Sequence, residues 1–130
     1  MKRILFFLIA LCVFGIDGPA ADVKPDFIIT DIVVQEEEFI HIKLQNKSSA
    51  DFPISPELKE KVFLSVYINN IKRADYTVKY MDVKLFKPNG TSIFPTNFRK
   101  QNGLHIRVEV NPLKVIPETN FLNNRFEKQF

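Results

Sequence analysis

Between Leu104 and Asn111 the chain alternates without a fault: Leu104, Ile106, Val108 and Val110 are aliphatic, and His105, Arg107, Glu109 and Asn111 beside them are polar. A repeat of two residues puts successive side chains on opposite faces of an extended strand, whereas a helix needs a repeat near 3.6. The aliphatic set must face a core and the polar set water. Asn111-Pro112 ends the run, because proline offers no N–H to a ladder.

The same pattern recurs along the chain. Ile40, Ile42 and Leu44 face inward against Phe39, His41, Lys43 and Gln45, and Val62, Leu64, Val66 and Ile68 face inward against Phe63, Ser65 and Tyr67. Pro25 introduces a strand over Asp26 to Val34 that is apolar on both faces for part of its length. Tyr76, Val78 and Tyr80 are expected on one face of a further strand. Thr91 to Phe94 reads as a short strand stopped by Pro95, and a last strand runs from about Asn124 to the C-terminus with Phe126 inward.

Turn chemistry separates these runs. Three adjacent carboxylates at Glu36, Glu37 and Glu38 resist burial and mark a solvated turn. Asn69-Asn70 suits a tight hairpin, since Asn tolerates positive φ, and Lys87-Pro88-Asn89-Gly90 is a strong turn. In the long polar connection from Asn46 to Lys61, Ser55-Pro56-Glu57 reads as the start of one or two helical turns with Ser55 as N-cap. About seven short strands with no βαβ alternation predict an all-β, Ig-like antiparallel β-sandwich.

Residues 1–21 read as a secretory signal: Lys2 and Arg3, an apolar stretch from Ile4 to Ile16, then Gly18-Pro19-Ala20-Ala21 for cleavage. Asp17 interrupts the stretch before it could serve as a membrane anchor. A secreted or periplasmic domain over residues 22–130 is therefore expected, with no membrane span after removal of the signal. The single cysteine, Cys12, leaves with it, so the domain can form no disulfide and no thiolate zinc site. Losing Lys2, Arg3 and Asp17 leaves 16 basic residues against 14 acidic, a net charge of +2. The basic residues form no run longer than Lys72-Arg73 or Arg99-Lys100, which argues against nucleic acid as a partner.

With the strands placed, the order of signals resembles the CARDB family, the cell-adhesion-related domain found in bacteria. The resemblance is carried by residues 25–32 (PDFIITDI), 42–48 (IKLQNKS), 66–70 (VYINN), 89–93 (NGTSI), 103–112 (GLHIRVEVNP) and above all 116–124 (IPETNFLNN). Ser48, Asn111 and Phe121 stand where that family commonly has Gly, Asp and an acidic residue. The resemblance implies an Ig-like or fibronectin-III-like sandwich acting as an extracytoplasmic adhesive or accessory module, an analogy at the level of fold.

No glycine-rich phosphate loop, nucleophile elbow or metalloprotease helix motif is present, and no cofactor is expected. The two histidines, His41 and His105, fall on outward positions of strands expected in opposite sheets, too far apart to share a metal. In the closing segment, Glu118, Asn120, Asn123 and Asn124 are expected to satisfy a long connection locally. They are also the candidate residues for a weak calcium site, for which Glu118 is the only acid. Phe39, Phe63 and Tyr67 are the candidate binding residues, three aromatics on faces read as outward. The expectation is a non-enzymatic binding or adhesion module that shows loops or a sheet face to a protein, cell-envelope or polysaccharide partner. A small secreted hydrolase or carbohydrate-active domain, and a purely structural envelope subunit, are the alternatives.

Overall fold

Alternating runs pair as strands because each has an aliphatic face to bury and a backbone ladder to complete. In the computed structural model, which describes residues 24–130, seven strands follow in order. They are β1 (Phe27–Val34), β2 (Phe39–Asn46), β3 (Val62–Ile68), β4 (Ile71–Thr77), β5 (Thr91–Arg99), β6 (His105–Val110) and β7 (Arg125–Gln129). The expected signal over residues 1–21, with Cys12, lies outside the described residues. Two antiparallel sheets, β1-β2-β5 and β4-β3-β6-β7, make the expected sandwich.

Ile40, Ile42 and Leu44 of β2, Leu64 and Val66 of β3, and Ile106, Val108 and Val110 of β6 join one buried cluster, as their spacing predicts. One end of this core is aromatic. Phe27 meets Phe63 and Phe86 edge-on with ring centroids 5.1 and 5.5 Å apart, and Phe63 lies 5.4 Å from Phe86. Offset and edge-on ring pairs add about 0.5–1.5 kcal/mol each beyond area burial, which suits a core without tryptophan or disulfide.

The turns follow their residues. Asn69 and Asn70 take φ of 50° and 68°, the paired positive values of a two-residue hairpin turn between β3 and β4. Glu36–Glu38 is an exposed 3-10 turn in which Glu37 and Glu38 have positive φ. Gly90 packs so tightly that a Cβ there would collide with the Lys84 carbonyl oxygen, so this turn admits no side chain without moving backbone.

Four expectations need correction. Phe63 points inward with 0% exposure, because it is the extra residue of a β-bulge: Val62 pairs with Thr77 and Leu64 with the adjacent Tyr76. A bulge re-aims a side chain that simple alternation assigns to the other face. β4 ends at Thr77, and Val78–Tyr80 is a 3-10 turn that buries Val78 and leaves Tyr80 63% exposed, so Tyr76, Val78 and Tyr80 share no strand face. β5 continues through Pro95 to Arg99, which an edge strand permits when the missing N–H faces away from the neighbouring strand. The helical turn after Pro56 is a 3-10 turn, Leu58–Glu60, and Ser55 gives it no side-chain cap.

Both sheets have interrupted edges. β1 has a bulge at Thr30, and Lys128 of β7 donates to its Ile32 carbonyl at 2.8 Å. β4 has a bulge at Arg73 beside Lys72 and Asp75; β5 carries Pro95 and an irregular register opposite Ile40; β7 is five residues long and rich in charge. Bulges, proline and charge are the devices that stop a sheet from adding a foreign strand.

Candidate functional site

The closing segment folds around one carboxylate. Glu118 is 5% exposed and accepts three N–H donors: Phe27 N at 2.7 Å on Oε1, and Asn111 Nδ2 at 2.7 Å and Asn124 Nδ2 at 2.5 Å on Oε2. Asn111 also brackets Ile116, donating to its carbonyl and accepting from its N–H, while Asn124 Nδ2 reaches the Val110 carbonyl. Asn120 accepts from Leu122 N, and Asn123 Nδ2 donates to Asp26 Oδ1 at 2.9 Å. The motif thus ties the start of β1 to the end of β6 and the start of β7. Burial raises the Glu118 carboxyl above its ordinary value, outweighing the Asn111, Phe27 and Asn124 donors that lower it, and the nearby Asp26 charge adds to the rise.

A cation does not fit this arrangement. Both Glu118 oxygens already face N–H donors, and Asn124 turns its amide nitrogen to the carboxylate, as Asn123 does toward Asp26. The oxygens Asn123 Oδ1 and Asn124 Oδ1 are buried without a donor. Among the described residues no three His, Cys, Asp or Glu side chains are grouped to hold a metal.

The aromatic trio does not form a patch. Phe63 is in the core; Phe39 lies on β2 and Tyr67 on β3, in different sheets. Arg99 stacks on the Phe39 ring at 4.6 Å and Arg107 on Tyr67 at 3.9 Å, so both half-buried rings are covered by cations of their own sheet. His41 on β2 and His105 on β6 fall in different sheets as expected, and His105 faces Glu127 at 3.0 Å.

A concavity lies elsewhere, on the outer side of β1-β2-β5. It holds about 560 Å³, and its lining includes Thr30, Lys43, Gln45, Asp82, Lys84, Thr91 and Ile93. That volume is within the roughly 300–1,000 Å³ of small-molecule sites. Alternation places Lys43, Gln45, Thr91 and Ile93 on one face, because Lys43 pairs with Ile93 and Gln45 with Thr91. The alternation in the sequence marks the outward residues of β2 but not this groove, because 44 residues, 47–90, separate β2 from β5 and carry no local signal of their register.

Asn46 opens the long polar connection after β2. It is fully buried: Oδ1 accepts from Asp26 N and Ser48 N, and Nδ2 donates to the Ala50 and Lys87 carbonyls. An amide so engaged anchors the β2–β3 connection and is closed to modification.

These features define an Ig-like antiparallel β-sandwich with a carboxylate-centred closing segment and open outer faces. Among solved structures it is similar to the CARDB domain of the PF1109 protein from Pyrococcus furiosus, a crystal structure in complex with di-metal ions. The match has 17% identity and a TM-score of 0.56, and covers 82% of this chain and 91% of that one, so the chain has the fold of a CARDB domain. No family model matches the sequence, and no curated protein matches it.

Proposed function

We propose that the chain is a non-enzymatic, extracytoplasmic Ig-like binding module, exported by residues 1–21, that meets a cell-envelope or protein partner through a sheet face. The observation that carries this reading is the contrast between edges and faces. Every sheet edge is broken by a bulge, a proline or charge, whereas the outer face of β1-β2-β5 is open and concave. The similarity to a CARDB domain supports an accessory module over a catalyst. A secreted hydrolase of the carboxylate type needs two convergent acids, and the groove is lined by one, Asp82.

Co-sedimentation of the purified protein with isolated cell envelopes of the source organism tests the proposal. The expected result is saturable retention in the pellet with the envelope glycans unchanged in length. Absence of saturable retention would remove the module reading, and release of shortened glycans would put the hydrolase in its place.

A further inference from the structure

We propose that the groove on the outer face of β1-β2-β5 binds an acidic polysaccharide, read by the ammonium of Lys43; this rests on the module reading above. Lys43 is half-buried in the groove lining and has no ion pair among the described residues. The reason is visible in the register. Asp31 stands directly opposite Lys43 and feels its charge, but its Oδ1 accepts from Ile32 N at 2.8 Å and from Lys128 Nζ at 3.2 Å and not from Lys43. The groove's own acid, Asp82, is held within its turn, accepting from Lys84 N at 2.9 Å and facing Lys84 Nζ at 3.7 Å. Lys43 is left without a direct ion pair in a concave surface, with the Asp31 charge acting on it only at longer range.

The remaining lining decides the class of anion. Thr30 and Thr91 offer hydroxyls, and Gln45 an amide, groups that both donate and accept and so match vicinal sugar hydroxyls. Ile93, 52% exposed between them, gives an apolar strip for the C–H face of a ring. An acidic peptide fits less well. The usual way a peptide docks on a sheet is by adding a strand, and the β5 edge next to the groove carries Pro95. A polysaccharide needs no edge, only the open face.

Titration calorimetry with an oligogalacturonate, its methyl-esterified neutral form and poly-glutamate tests the inference. The acidic sugar is expected to bind, the ester to bind much more weakly, and poly-glutamate not to bind. Lys43→Gln should weaken binding about tenfold, the effect of roughly 1.4 kcal/mol from one charge-assisted hydrogen bond. Lys43→Arg should retain binding and Arg73→Gln, on β4, should leave it unchanged; amide spectra confirm that each variant is folded. Equal binding of the ester, equal binding of poly-glutamate, or indifference to Lys43→Gln would each overturn the proposal, as would no binding at all. If envelope co-sedimentation persists in that last case, the groove assignment falls and the module reading stands.

Discussion

Replacing Glu118 by Gln changes one atom and tests the closing segment. The carboxylate accepts from Phe27 N, Asn111 Nδ2 and Asn124 Nδ2, so every donor around it needs an oxygen. A glutamine has one. If its oxygen keeps the two Asn amides, its NH₂ confronts Phe27 N–H; if it flips, both Asn amides lose their acceptor. An orphaned buried donor costs about 1–3 kcal/mol, and the surviving bonds lose the extra strength that a charged acceptor gives. Removing the charge also relieves the burial penalty that raises the Glu118 carboxyl, which offsets part of the loss. The expected net loss is about 2 kcal/mol, or roughly 8–16 °C in Tm for a domain of this size. Urea unfolding followed by circular dichroism, with Asn120→Ala as a control that removes only the Leu122 contact, measures it. Stability of Glu118→Gln within about 0.5 kcal/mol of the parent would refute the hub. A pH dependence accompanies it. The folded chain holds the Glu118 proton to higher pH than the unfolded chain, so this contribution is complete below the ordinary glutamate value of about 4.3 and fades as pH rises through the raised folded value. In Glu118→Gln that slope is expected to disappear.

Phe63→Ala should cost about 3–5 kcal/mol by urea titration, as for a buried core phenylalanine, and Tyr67→Ala under about 1 kcal/mol; similar values for the two would contradict the bulge in β3. Gly90→Ala should lower Tm by several degrees, because its Cβ meets the Lys84 carbonyl, and an unchanged melt would contradict the tight turn. Asp31 has its carboxyl lowered chiefly by the Ile32 N–H, with Lys128 adding to it, so the stability it contributes is present above the ordinary aspartate value and lost as pH falls through its lowered one. The pair is part-exposed and screened, so Asp31→Asn is expected to remove only a small, salt-sensitive acid slope from thermal melts.

Where one face of a strand meets the core and the other meets water, the sequence is a reliable guide, as at β2 and β6, because a two-residue repeat has only one way to bury its aliphatics. The same logic failed at Phe63, where one inserted residue in β3 changes which face the side chain takes while leaving the local sequence looking regular. It failed at Pro95 for a different reason: whether a proline stops a strand depends on which side the missing N–H faces, and that depends on strand order in the sheet. The closing segment was recognisable as a group of polar residues needing local partners. What could not be read was that Asn111, from the end of another strand, and the backbone of Phe27, at the far end of the chain, complete its contacts. The groove around Lys43 is likewise a product of register between β2 and β5.

The central claim is that this fold presents the open face of β1-β2-β5 to an envelope partner. Amide correlation spectra of the ¹⁵N-labelled protein titrated with solubilised envelope polysaccharide test it most directly. Shifts confined to Lys43, Gln45 and residues 91–93, with the polysaccharide unchanged in length, are the predicted result; shifts centred on the closing segment, or a shortened polysaccharide, would contradict it.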